Sequence, residues 1–284
     1  MLHAMKPSFR KKTAYTIQFF HRPGRCWSDD ELARFNRELN DIAADCFRQV
    51  PRYQCLTGNR EELKRNVITI ARDNRGDAVG FCSAVILEVD GYENILHLGL
   101  TCIKKSARSM GLTHRLTSKL VMLYLFKTSF FKAIWITNVA CVLSSLGNIA
   151  LHFENVFPSP FGKADPSPDH LRIAKAIDEQ FRGPVAINPD SVFDERHFVF
   201  RGSVDKTVFQ KSAKDTRYYH RNPNLTHFYK KRMNFKNGDE VVQVAKIGVF
   251  SYPKYKLKKS VMGIIASSTH PIRRMKTAFF SRKF

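Results

Sequence analysis

The stretch that decides the fold is Leu98-Gly-Leu-Thr-Cys-Ile-Lys-Lys-Ser-Ala-Arg-Ser-Met-Gly-Leu-Thr-His114. It joins a predicted strand, Asn94 to Ile103, to a predicted helix, Gly111 to Phe126, whose Leu112, Leu116, Leu120, Leu123 and Tyr124 recur at helical spacing. A strand that feeds a glycine-containing loop at a helix start suits phosphate. The first helical amides have no acceptor within the helix, and the dipole favours negative charge there. Gly111 lets an anion approach the backbone, while Lys104, Lys105 and Arg108 add positive charge nearby. The loop lacks the Gly-x-x-x-x-Gly-Lys-Ser/Thr pattern and the three glycines of a dinucleotide fingerprint, so neither of those phosphate sites is indicated.

Outward from this stretch the pattern is one of strands first and then alternation. Val67–Ala71 and Ala78–Val89 read as strands of a hairpin around the turn Asp73-Asn-Arg-Gly-Asp77, and Asp90-Gly91 marks the turn into the long strand. Ala133–Thr137 reads as a short central strand, followed by a helix from Ser144 to Phe153. Upstream, Ser28-Asp-Asp-Glu31 is a helix start, a capping hydroxyl followed by acids, and Leu32, Phe35, Leu39, Ile42, Ala43 and Cys46 carry that helix to about Arg48. Downstream of the proline-rich Phe157–Phe161 come a helix at His170–Phe181, a strand at His197–Arg201, a helix at Leu225–Met233 and a last strand at Val241–Phe250. This is an α/β pattern with a mixed sheet. The strands on either side of the Gly111 helix are expected to run parallel and to part at their ends, leaving a cleft over the helix start.

Arg108-Ser-Met-Gly-Leu-Thr113 resembles the Arg/Gln-x-x-Gly-x-Gly/Ala motif of the GNAT superfamily of N-acyltransferases, and the element order from about Asn66 to Phe157 resembles that family's. The resemblance implies a GNAT-like mixed β-sheet flanked by helices, with a basic C-terminal extension, and acetyl-CoA or another acyl-CoA as cofactor. It implies that Thr101 and Ile103 bond the pantetheine arm through their backbone. The pyrophosphate then lies on the amides of Ser109, Met110, Gly111, Leu112, Thr113 and His114 beside Arg108, with Asn148 near the cofactor. Thr113 stands where Gly or Ala is usual and Lys105 where Pro is common. His152 and Phe153 replace a frequent general-acid Tyr, so the sequence names no acid. His97 lies on the long strand where family members resemble one another in carrying a catalytic Glu. Strand alternation puts 97, 99, 101 and 103 on one face, so His97 is either a general base or a packed strand histidine. Cys102 falls on the opposite face, as a core residue.

The chain has 284 residues, 47 basic and 25 acidic, a formal charge of +22. Residues 1–27 hold 6 basic and no acidic residues, 28–200 hold 21 of each, and 201–284 hold 20 basic and 4 acidic. The expected organisation is a basic N-terminal segment (1–27), an acyltransferase domain (28–250) and a basic tail (251–284). Apolar residues at 43% exclude a fully disordered chain. Six scattered cysteines without a Cys-x-x-Cys pair indicate neither a disulfide framework nor a zinc site, and fit a reducing compartment. No signal peptide is read, and Leu120–Leu151, broken by Lys127 and Lys132, falls short of the ~20 apolar residues a bilayer span needs. A cytoplasmic enzyme that acylates a small-molecule or peptide amine is the expectation. Two alternatives stay open: acyl transfer from an acidic acyl carrier protein held on the basic surface, and a non-enzymatic basic module that binds nucleic acid or anionic membrane.

Overall fold

The hairpin around Asp73–Asp77 forms as β2 (Asn66–Arg72) and β3 (Ala78–Leu87) in the computed structural model, which describes residues 15–93, 95–129, 132–249 and 251. Asp73 organises the turn: its Oδ1 accepts from the amides of Arg75 at 2.9 Å and Asp77 at 3.1 Å. Gly76 takes φ +91°, a conformation open to glycine at little cost. β3 is buried at every position, as a central strand covered on both faces must be.

The sheet runs in the order β1 (Thr16–His21), β2, β3, β4 (Ile95–Ile103), β5 (Ile134–Ala140), β9 (Glu240–Ile247), β8 (Val199–Arg201) and β7 (Val192–Asp194). A short strand, β6 (Glu154–Phe157), shares the outer edge of β9 with β8. Every pairing is antiparallel except that of β4 with β5.

That parallel pairing is short. It joins Leu96 to Ile136, His97 to Thr137 and Leu98 to Asn138, and ends there, while β4 continues to Ile103 and β5 to Ala140. The two strands therefore part at their C-terminal ends, as the sequence predicts.

Helices cover both faces. α1 (Asp29–Cys46) packs Leu32, Phe35 and Leu39 on Ile68, Ile70 and Phe81, and α5 (Pro168–Gln180) packs Ile173, Ala174 and Ile177 on Val85, Leu87 and Val244. On the other face α3 (Leu112–Thr128) sets Leu116 and Leu120 against Ala84, Ile86 and Leu96. There too, α4 (Leu143–His152) and α6 (Pro223–Lys230) meet Val199 and Val241. A one-turn helix, α2 (Arg60–Leu63), precedes β2. The helix start predicted at Ser28 forms, and the structure completes it as a capping box: Ser28 Oγ accepts from the Glu31 amide at 3.3 Å, and Glu31 Oε2 from the Ser28 amide at 2.8 Å.

Two expectations need correction. All six residues of β1 pair with β2, so the folded domain reaches back at least to Thr16, into the stretch assigned to a basic N-terminal segment. The basic neighbours hid a short strand whose apolar Ile17, Phe19 and Phe20 pack on the sheet. The second concerns β4. Cys82 pairs with Thr101 but Ala84 with Leu98, so Gly99 and Leu100 together stand opposite Ser83. This bulge resets the alternation. Leu98 and Thr101 face α3, whereas His97 and Cys102 lie on the α1 and α5 side, so 97 and 101 do not share a face. Cys102 is buried there, as expected of a core residue. Residues 1–14, Asn94 and the tail from 252 onward lie outside the described residues. Ser251, assigned to the tail, is buried, and its Oγ accepts from the Gly248 amide at 2.8 Å.

Candidate active site

β4 leaves the sheet at Lys104, whose amide donates to Val79 O at 2.8 Å. In an antiparallel ladder, residues bonded to the partner alternate with residues whose amide and carbonyl point away. The backbone groups of Thr101 and Ile103 therefore point away from β3, into the gap that β5 has vacated. The Thr101 side chain turns toward α3 and donates to Cys82 Sγ at 3.2 Å.

The chain then makes a single turn, Lys105–Ala107, and passes Ser109 at φ +65° and Gly111 at φ +70° into α3. The first bond within α3 runs from the Arg115 amide to Gly111 O at 3.3 Å, so the amides of Leu112, Thr113 and His114 precede it. These amides are the group an anion would meet. Arg108, Ser109, Gly111, Thr113 and His114 are exposed, Met110 is half-buried against the core and Leu112 is buried. A Cβ on Gly111 would meet nothing within 4 Å, so its left-handed φ, not crowding, favours glycine in the free protein.

The end of α1 holds this loop in place. Asp45 accepts from the Lys105 amide, which keeps its carboxyl below the usual range, and Cys46 Sγ donates to Ile103 O at 3.3 Å. Arg108 Nε reaches the same carbonyl at 3.2 Å.

His97 is elsewhere. It is 1% exposed, its Nδ1 lies 3.0 Å from Thr137 Oγ1, and burial pushes its pKa down to about 3. It is a neutral, hydrogen-bonded side chain beneath the gap, on the face away from Thr101. Asn148 is exposed on α4, beside Gly147. The His220 ring closes on that glycine so tightly that a Cβ there would fall 2.6 Å from the ring.

On the α1 face of the gap lies a polar cluster with no sequence motif to announce it. Gln54, at φ +46° and 4% exposed, lays its side chain over Gly99, where a Cβ would stand 2.0 Å from Oε1. Its Oε1 accepts from Ser83 Oγ at 3.0 Å, and its Nε2 donates to the Tyr53 hydroxyl at 2.5 Å. The Tyr53 ring packs edge-on to Phe209, which packs in turn on Phe47. Phe209 O accepts from Cys141 Sγ at 3.4 Å, just past the end of β5.

Beside Cys141 stands Glu240, the first residue of β9. It is 7% exposed, and its Oε2 accepts from Ser203 Oγ at 2.7 Å. Burial pushes its carboxyl up to about 7, against the opposing pull of Ser203, of the Lys211 charge and of a bond from the Cys141 backbone. Burial and the Glu240 charge together push Tyr53 well above its ordinary value. Sequence reading missed these residues because they come from loops and strand ends far apart in the chain. The one local signal was an acid opening the valine-rich strand Val241-Val-Gln-Val244.

No protein-family model matches the sequence, and no curated protein matches it. Solved structures similar to the chain include acetyltransferases. One is an aminoglycoside N-acetyltransferase in complex with CoA, 18% identical over 42% of this chain and 74% of its own, with a TM-score of 0.29. Another is the ribosomal-protein-alanine N-acetyltransferase of Brucella melitensis, 17% identical over 44% of this chain and 80% of its own, at 0.31. A GNAT family N-acetyltransferase from Escherichia coli in complex with CoA is 17% identical over 49% of this chain and 67% of its own, at 0.25.

Among the described residues, no helix is long and apolar enough to cross a membrane, and no group of three or more His, Cys, Asp or Glu is arranged to hold a metal ion. A surface hollow of about 380 Å³ borders the loop at Lys104 and Ser106, but Glu38, Asp41, Asp73 and Asp77 line it, which disfavours an anion on that side.

Proposed function

We propose that the protein is an acyl-CoA-dependent N-acyltransferase that transfers an acyl group, most simply acetyl, to an amine. The observation that carries this reading is the parting of β4 and β5 beside the start of α3, where left-handed Gly111 exposes unpaired amides. An elongated donor with a phosphate end and an amide-rich arm suits such a place. Its phosphates are to be held by the amides of Ser109, Met110, Gly111, Leu112, Thr113 and His114 and by Arg108 once its side chain swings outward. Its arm is to pair with the backbone of Thr101 and Ile103, as an added strand would. Asn148 on α4 is the remaining candidate for a cofactor contact. Holding thioester and amine together in one cleft replaces a bimolecular encounter by a pre-oriented one, which removes much of the entropic part of the barrier.

Calorimetric titration with CoA and acetyl-CoA tests the reading. Saturable binding is expected, with Gly111→Val abolishing it by blocking backbone approach. Absence of binding to the wild type, or equal affinity in the variant, overturns it.

A further inference from the structure

We propose that Glu240 is the general base of acyl transfer and Tyr53 the proton donor to the departing sulfur. The inference rests on the function proposed above; it names an acid, for which the sequence offered no residue, and a base in place of His97. Position carries it first. The gap opens past Leu98 and Asn138, and on its α1 face Ser83 and Gly99 form one bank, Cys141 and Glu240 the other. Tyr53 and Gln54 lie between them, tied to the first bank by Ser83 Oγ at 3.0 Å and to the second through Phe209, which packs on the Tyr53 ring and whose carbonyl accepts from Cys141 Sγ at 3.4 Å. Glu240 and Tyr53 thus stand on the side of the gap opposite α3, where an acceptor can approach a donor held on the α3 loop.

Protonation state carries it second. A base that works near neutral pH must be ionised part of the time and still bind a proton well. The buried Glu240 carboxyl, raised to about 7, meets that condition, whereas the neutral His97, at about 3, does not. The ionisable groups that face Glu240 are Lys211 from the segment after β8, Cys141 from the end of β5 and Tyr53 from the loop after α1. Of these, only Lys211 adds positive charge, and burial lowers its own pKa.

The proton balance closes. The amine nitrogen forms its bond to the thioester carbonyl carbon and gives one proton to Glu240. The carbon–sulfur bond breaks and the sulfur takes a proton from Tyr53. The Glu240 proton then passes to the Tyr53 phenolate, which restores both groups and leaves an amide and a free thiol.

The test uses the full chain, acetyl-CoA and three amine probes: a polyamine, an amino sugar and a peptide with a free N-terminus. Thiol release is followed against pH, and the protonated-carboxyl infrared band of the free protein is followed in parallel. Glu240→Gln is expected to keep CoA affinity, to lose the carboxyl band that titrates near neutral pH and to slow thiol release by about 10²-fold or more. Tyr53→Phe should slow release while leaving the carboxyl titration in place. Ser203→Ala keeps the carboxylate but removes a bond to it, so the rising limb of the rate should move to higher pH.

The inference is overturned if CoA binds and Glu240→Gln releases thiol at the wild-type rate. It also falls if Ser203→Ala leaves the pH limb unmoved, or if CoA binds but no probe is turned over. Failure of the wild type to bind CoA strikes the function itself and is seen separately by calorimetry.

Discussion

His97 Nδ1 stands 3.0 Å from Thr137 Oγ1, and these two residues are partners in the parallel ladder one rung before β4 and β5 part. The bond joins the strands at the closed end of the gap, inside the core, where only a neutral imidazole fits.

Acid should therefore weaken the fold through His97. Its pKa is lowered from 6.5 to about 3, so its contribution is full above about pH 6.5 and is lost as pH falls toward 3. The loss approaches about 5 kcal/mol across that window, since one pKa unit is about 1.4 kcal/mol. Urea midpoints at about pH 7 and about pH 4 should show a smaller acid loss in His97→Asn than in the wild type. Equal losses would mean that another group takes up the proton.

Glu240 acts with the opposite sign. Its carboxyl is raised from 4.5 to about 7, so between these values the folded protein binds more protons than the unfolded one and stability falls as pH rises. The cost levels off above about pH 7 at about 3 kcal/mol. Glu240→Gln should therefore gain stability over the wild type at about pH 8 and little at about pH 4, measured by thermal unfolding at each pH. A gain independent of pH would contradict this.

Gly99 and Gln54 form a tight pair across the bulge. A Cβ at 99 would fall 2.0 Å from Gln54 Oε1, so Gly99→Ala should destabilise by about 1–3 kcal/mol. Gln54→Ala should recover part of that loss in the double variant, with a coupling of about 1 kcal/mol or more in a double-mutant cycle. Additive losses would show that the two side chains do not meet.

Gly111 separates backbone strain from crowding. Its φ is +70° and open space surrounds its missing Cβ. Gly111→Ala should cost about 1–2 kcal/mol in denaturant unfolding with no steric clash. An unchanged midpoint would mean that the helix start relaxes out of the left-handed region.

Much of the fold was determined by the sequence alone, and for a local reason. Ser28 and Glu31 cap a helix through contacts three residues apart. Asp73 and Gly76 turn a hairpin within five residues, and the apolar run of β3 and the helical spacing of α3 follow from their own side chains. The glycine at the α3 start was legible for the same reason, since its demand is on its own backbone. Tertiary structure decided the rest. The bulge at Gly99–Leu100 depends on which β3 residue each β4 residue pairs with, and it moves His97 to the face away from Thr101. β9 lies between β5 and β8 because a late segment pairs with a strand about a hundred residues earlier, a choice no local pattern encodes. The acid–base cluster depends on the same long-range pairing. Glu240 at 7% exposure and Tyr53 owe their protonation first to burial, and burial is a property of the packed chain.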